Sequence, residues 1–212
     1  MKTHQKRQAV PKNWTLNRKG KTFTARAKGG EVPILVVLRD MLGVVKDKRE
    51  CKRALYEKNI ELNSKPVREI NQGVHLLDII TIVPSKKNYI VKLSSTGKFE
   101  VVETKDAGKK PIKIINKTLL KGKKTQLNLI DGRNILSEDK CNTHDSVLFD
   151  FKKKKIDKIL PMKKGSKAIV VAGKHAGHEG TIENINEDTK IVTIKTKEDK
   201  VDALIKQVIV TE

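Results

Sequence analysis

Aromatic side chains are scarce in this sequence: one Trp, two Tyr and four Phe, 3% of 212 residues. A single large core built around bulky rings is therefore excluded, and several small cores of Ile, Val and Leu are expected instead. Cysteine is nearly absent, and Cys51 and Cys141 make neither a disulfide framework nor a zinc ligand set. Long apolar runs are missing as well. The longest, Val32 to Leu38, is interrupted by Pro33 and falls far short of the roughly 20 residues that a helical bilayer span needs. The N-terminus is charged but has no apolar stretch behind it, so no secretory signal is expected.

Acidic residues are also short in supply, 25 against 46 Lys plus Arg, and the formal net charge is +21. A field of that sign favours polyanionic partners. The excess is uneven. Residues 1–30 hold nine bases and no acid, and residues 31–83 hold nine against eight. Residues 84–160 hold 19 against nine, with Lys-rich stretches at Lys105–Lys124 and Lys152–Lys155, and residues 161–212 return to nine against eight. Any one lysine run reads equally well as a solvated face. The alternation of near-neutral, well-patterned segments with very basic ones points to a counter-charged partner.

Along the chain, residues 1–30 lack hydrophobic periodicity and read as an extended basic arm, ordered on a partner. Trp14 is its aromatic anchor, suited to packing on the protein or to stacking on a base. From Pro33 the spacing of Ile34, Leu35, Leu38, Met41 and Leu42 predicts a one-faced helix stopped at Gly43. A second helix is predicted from Asp47, an N-cap with Glu50 three residues on, to Lys58. Cys51, Ala54 and Leu55 would form its core face, leaving Lys48, Arg49, Lys52 and Arg53 outward. Strands follow at Ile60–Leu62, Val67–Ile70 and Leu77–Val83, with a turn at Asn63-Ser64. Residues 86–160 read as β-rich, with strands at Tyr89–Leu93, Phe99–Glu103, Lys113–Ile115, Gln126–Ile130 and Val147–Asp150. Further strands are predicted at Ile191–Lys195 and Ile205–Val210.

Three stretches carry a resemblance to known modules. Ile34 to Val83 resembles the S-four RNA-binding module, with Ile60-Glu61-Leu62-Asn63-Ser64-Lys65 matching its strand and turn. Leu76 to Ile82 matches its closing strand. Ser64 stands where that module commonly has Gly. The spacing of Gly165, Ala168, Val170, Val171, Gly173, Lys174, Gly177, Gly180 and Ile182 resembles a KOW element, shared by ribosomal proteins and transcription factors. The order of parts, from the arm His4-Gln5-Lys6-Arg7-Gln8-Ala9-Val10-Pro11-Lys12-Asn13-Trp14 through Ser94-Ser95-Thr96-Gly97-Lys98-Phe99 to the KOW element, resembles the archaeal and eukaryotic small-subunit ribosomal proteins of the S-four-e family. The chain stops soon after the KOW element, without the basic tail typical of eukaryotic members, which leans the expectation towards an archaeal member.

The expected fold class is thus α+β: a basic N-terminal arm (1–31), a small S-four-like α+β module (32–85), a β-rich central module (86–160) and a C-terminal SH3-like KOW β-barrel (161–212). The resemblance implies a non-enzymatic constituent of the small ribosomal subunit in the cytoplasm, with small-subunit ribosomal RNA and neighbouring small-subunit proteins as partners. No membrane, small-molecule substrate, cofactor or metal is expected. A free-standing regulator of RNA or transcription is the alternative. S-four modules also serve pseudouridine synthases, whose Asp lies in a Gly-Arg-x-Asp loop, but Asp131-Gly132-Arg133-Asn134-Ile135 has no Asp there and reads as a turn. His175 and His178 lie in a predicted loop with no Cys or carboxylate to complete a ligand set. Position and charge pick out the RNA-contact candidates Lys2, His4, Lys6, Arg7, Lys12, Trp14 and Arg18 in the arm. In the second module they pick out Arg49, Lys52, Arg53, Lys65 and Arg68. In the KOW loop they pick out Lys174, His175 and His178, where backbone N–H groups would join Lys174 on a phosphate.

Overall fold

The structure, a computed structural model, describes residues 4–105, 108–120, 124–137, 141–186, 189–196 and 199–211. Strands dominate it, and the helices are few and short. The chain forms two units, residues 1–94 with 98–108 and residues 95–97 with 109–212.

In the first unit the basic N-terminal segment is folded into a hairpin rather than left as an extended arm. β1 (Gln5–Lys6) pairs antiparallel with β2 (Phe23–Thr24). Arg7 ties the intervening loop, donating from Nε to the Lys21 carbonyl and from Nη1 to the Asn17 carbonyl, each at 2.8 Å. Trp14 is only 7% exposed. Its neighbours hold Phe99: the Phe99 N–H donates to the Asn13 carbonyl at 2.9 Å, and the Thr15 hydroxyl donates to the Phe99 carbonyl at 2.7 Å.

β3 (Val32–Pro33) leads into α1 (Ile34–Val36), which widens at once into a π-type turn over Val37–Met41. The segment is helical as predicted, but it is not one-faced. Ile34 through Leu38 are all buried, and a segment that is apolar on every side belongs inside, not at a surface. Gly43, at φ +67, ends the segment as expected. α2 (Lys48–Tyr56) follows extended Asp47. Asp47 makes no side-chain cap, whereas Glu50 reaches back to accept the Lys46 N–H at 2.7 Å. Cys51 and Leu55 are buried, Ala54 is half-buried, and the four bases stand exposed.

The strands of this unit are β4 (Ile60–Leu62), β5 (Lys65–Pro66), β6 (Gly73–Val74), β7 (Ile79–Ile82), β8 (Lys87–Leu93) and β9 (Phe99–Thr104). A five-stranded sheet runs β5-β4-β7-β8-β9, and β6 pairs with β3. Asn63 and Ser64 both take left-handed conformations, φ 52 and 60, as a type I′ hairpin turn requires. That tight turn brings Lys65 and Pro66 opposite Leu62 and Glu61. The pairing predicted for Val67–Ile70 therefore falls two residues earlier. β8 and β9, expected within the central module, complete this first sheet instead: β8 pairs with β7, and β9 with β8.

The second unit holds two further five-stranded antiparallel sheets. One, ordered β12-β11-β10-β13-β14, comprises β10 (Lys109–Leu119), β11 (Thr125–Leu129), β12 (Asn134–Ser137), β13 (Ser146–Asp150) and β14 (Lys155–Leu160). Much of the Lys-rich stretch Lys105–Lys124 is thus a regular strand. Ile112, Ile114, Leu127, Leu129, Val147 and Phe149 form its core. Between β11 and β12 lies the turn Asp131-Gly132-Arg133, with Gly132 at φ +80. Arg133 is ion-paired to Asp131 at 3.1 Å and lies 4.6 Å over the Phe151 ring, a structural turn as predicted.

The other sheet, ordered β18-β17-β16-β15-β19, comprises β15 (Lys167–Val170), β16 (Glu179–Asn186), β17 (Ile191–Lys195), β18 (Lys200–Leu204) and β19 (Val208–Val210). Its core is aliphatic: Ala168, Val170, Ile182, Val192, Ile194, Val208 and Val210. The strand predicted over Ile205–Val210 begins as a 3-10 turn, Ile205–Gln207, and only then becomes β19. Gly180 sits inside β16, where an added Cβ would overlap the Lys195 carbonyl.

Lys113 accounts for that turn. Its side chain is 2% exposed, and its ammonium donates to the Ile205 carbonyl and, at 2.6 Å, to the Val208 carbonyl. Burial pushes its pKa down to about 8 from 10.5. A lysine whose folded pKa is depressed binds its proton less readily folded than unfolded, so stability rises with pH between those values and is lost as pH falls back through the folded pKa. Wild type is expected to gain on the order of 2 kcal/mol over Lys113→Met between pH 7 and pH 10, measured by urea unfolding. A constant gap between the two proteins would rule this out.

Candidate nucleic-acid interface

The predicted contact residues fall into three places. Lys2 lies outside the described residues. Of the rest of the arm set, Arg7, Lys12, Trp14 and Arg18 line a recess of about 380 Å3 together with Lys98, whereas His4 and Lys6 lie outside it and Lys6 is exposed. Lys98 was not predicted to be there, and it arrives because Phe99, beside it, is bonded to Asn13. Lys12 and Arg18 are exposed, but Arg7 spends two of its N–H groups on the loop carbonyls. With 7% exposure, Trp14 acts as a packing anchor. His4 meets exposed Phe23 edge-on, ring centroids 5.2 Å apart.

The second place is the outer face of α2. Alternation of the apolar pair Cys51 and Leu55 with bases turns Lys48, Arg49, Lys52 and Arg53 to solvent. Lys48, Lys52 and Arg53 line a recess of about 640 Å3, whose far wall includes Arg68, Glu69 and Asn71 and whose apolar lining includes Leu55 and Ile70. Lys52, Arg53 and Arg68, chosen from sequence, are thus brought together. Arg49 and Lys65 are exposed but do not line it. Arg53 is tied to Glu57 at 2.9 Å, and Glu69 to Lys28 at 2.8 Å. Tyr56, unpredicted, stands at the edge of this recess. Its signal in the sequence was spacing, since Lys48, Lys52 and Tyr56 recur every four residues and share one helix face.

The third place is the loop between β15 and β16. Gly173 and Gly177 take φ +93 and +94, the left-handed turns expected there. Lys174 is exposed, and the rings of His175 and His178 meet edge-on at 5.8 Å. The backbone is more self-satisfied than predicted. The N–H groups of Ala176, Gly177 and His178 donate to the carbonyls of Gly173, Val170 and His175, so side chains rather than those amides face a ligand. Among the described residues no cluster of three or more His, Cys, Asp or Glu is placed to hold a metal. Among those residues no helix is long and apolar enough to cross a membrane.

An aromatic-poor, strand-rich body with bases gathered on exposed faces is the make-up of a ribosomal protein, the class to which the comparisons also lead. Residues 85–156 match Ribosomal family S4e, residues 164–195 the KOW motif and residues 1–30 the RS4NT (NUC023) domain. The small ribosomal subunit protein eS4 of Methanocella arvoryzae is 36% identical over 188 residues, 86% of this chain and 80% of that protein. That of Halobacterium salinarum is 37% identical over 194 residues, 88% of this chain and 83% of that protein. The crystal structure of the 30S ribosomal protein S4e from Thermoplasma acidophilum superposes with a TM-score of 0.72 at 27% identity, covering 84% of this chain and 93% of that one. This chain belongs to Ribosomal family S4e.

Proposed function

We propose that the chain is a structural, non-catalytic constituent of the small ribosomal subunit in the cytoplasm, held there by ribosomal RNA and by neighbouring small-subunit proteins. In this reading the arm (1–31), the S-four-like module with the strands β8 and β9 that complete its sheet (32–104), the central sheet (109–160) and the KOW part (161–212) each meet the partner. The antiparallel aliphatic sheet of residues 167–210 serves as an SH3-like barrel that presents the Lys174–His178 loop. The observation that carries the proposal is the α2 face, where Lys48, Arg49, Lys52 and Arg53 are all exposed and Arg68 joins the recess lined by Lys48, Lys52 and Arg53. Lysines and arginines so placed displace counterions from phosphates, which makes binding steeply salt-dependent. Specificity then comes from RNA shape, because side chains read the deep A-form major groove poorly.

Two measurements test it. Stoichiometric recovery in the small-subunit peak of a high-salt sucrose gradient is expected, and recovery only at the top of the gradient would remove the ribosomal role. In filter binding to small-subunit RNA, Lys52→Ala and Arg68→Ala are each expected to reduce the slope of log affinity against log salt by about one. Unaltered slopes would take the α2 face out of the interface.

A further inference from the structure

Tyr56 is 88% exposed in a chain with only seven aromatic residues. Trp14, Phe99, Phe149 and Phe151 are buried, Tyr89 is half-buried, and Phe23 is met by His4. Tyr56 alone keeps a whole ring in solvent, with no ring partner among the described residues. It does so at the C-terminal end of α2, on the face of Lys48 and Lys52, beside a recess that Arg68 closes from the other side. The recess, about 640 Å3, is within the roughly 300–1,000 Å3 of small-ligand clefts. Glu69, the carboxylate in its lining, is occupied by Lys28 at 2.8 Å, so the cations there dominate the local field.

Resting on the proposed RNA binding, we infer that Tyr56 is a stacking platform for an unpaired nucleobase, with Lys52 and Arg68 holding the phosphates on either side. A flat aromatic face recognises another flat face, and a base offers its own only when it leaves the helical stack. Paired A-form RNA presents phosphates to the lysines but no base to the ring. The ligand of this recess is therefore a loop, bulge or single-stranded junction, and the α2 face reads strandedness as well as charge.

The test uses the full chain with two probes, a short single-stranded oligoadenylate and a blunt RNA duplex, at matched salt. Tyr56→Ala is expected to weaken oligoadenylate binding about tenfold and to leave duplex binding unchanged. Tyr56→Phe and Tyr56→Trp should both retain affinity, and the new indole should be quenched by oligoadenylate relative to the Trp14 background. Tyr56→Ala binding oligoadenylate like wild type, or losing both probes equally, overturns the stacking role while leaving the RNA reading intact. Wild type binding neither probe sinks both. Unaltered RNA binding with loss of Tyr56→Ala from the small subunit overturns it in favour of a protein contact.

Discussion

Gly73→Ala is expected to destabilise the protein by about 3 kcal/mol or more and to release the end of the basic arm. A Cβ built on Gly73 overlaps the carbonyl oxygen of Gly29 and lies 2.8 Å from the Gly30 Cα. Backbone atoms cannot swing aside as the tip of a lysine would. Gly30 faces the same contact from the other side, at φ +88 with its own Cβ position 2.7 Å from the Gly73 carbonyl carbon. The close approach exists to make bonds. Lys28 N–H donates to Asn71 at 2.7 Å, Gly73 N–H to Lys28 at 3.2 Å and Glu31 N–H to Val74 at 3.0 Å. Pushing the two segments apart loses this ladder, one of the ties that hold the arm to its unit beside those of Asn13 and Thr15 to Phe99. Gly29→Ala is the control: no atom lies within 4 Å of its Cβ, and only φ +59 opposes it, a cost of roughly 1–2 kcal/mol. Urea unfolding that finds Gly73→Ala no worse than Gly29→Ala would refute the steric account. Faster proteolytic removal of the arm in Gly73→Ala is the second readout.

Asn63→Ala is expected to cost roughly 2–4 kcal/mol, because it strips two partners in a buried place. Asn63 is 5% exposed and Asp78 3%. The Asn63 amide donates to Asp78 at 2.8 Å and its carbonyl oxygen accepts the Ile79 N–H at 3.0 Å, while the other Asp78 oxygen accepts the His75 N–H at 2.7 Å. Truncation leaves a buried carboxylate short of a donor and a buried N–H short of an acceptor, the expensive side of hydrogen-bond arithmetic. Alanine also adds strain at φ 52, so Asn63→Gly separates the two effects by keeping the turn and removing the amide. Asn63→Gly is expected to retain most of the loss. Near-wild-type stability of Asn63→Gly in urea unfolding would assign the whole effect to turn strain. Since the hairpin turn leads directly to Lys65 and Arg68, both variants should also blunt the salt dependence of RNA binding.

Much of this was legible locally. The Asn63-Ser64 turn, the Gly43 stop and the outward bases of α2 follow from backbone allowances and from a period of 3.6 that any short window reveals. The KOW glycines were legible for the same reason. Elsewhere the partner of a segment lay far along the chain. Ile34–Leu38 carries a helical face in isolation, yet it is buried all round. β8 and β9 have ordinary strand patterns that do not say which sheet they join, and the pairing of β8 with β7 and of β9 with β8 decides it. The arm looked extended because its ties, Phe99 to Asn13 and Lys28 to Asn71, involve residues more than forty or eighty positions away. The spacing of Lys48, Lys52 and Tyr56 puts the ring on their helix face, but only the recess shared with Arg68 gives it a role.

By itself the sequence determined that this protein is basic and aromatic-poor, without a long apolar span, and that its patterned segments carry the marks of Ribosomal family S4e. Formal charge, composition and glycine spacing are properties of the chain as written. Only the tertiary structure decided which bases are spent and which are offered. Arg7 is turned onto the loop carbonyls of Asn17 and Lys21 and Lys113 onto Ile205 and Val208, while Lys52 and Arg68 line one recess. A side chain's ordinary charge is written in the sequence, but its partner, and for buried Lys113 its pKa, depends on what the fold brings within about 3 Å, and that is set by residues far away in sequence.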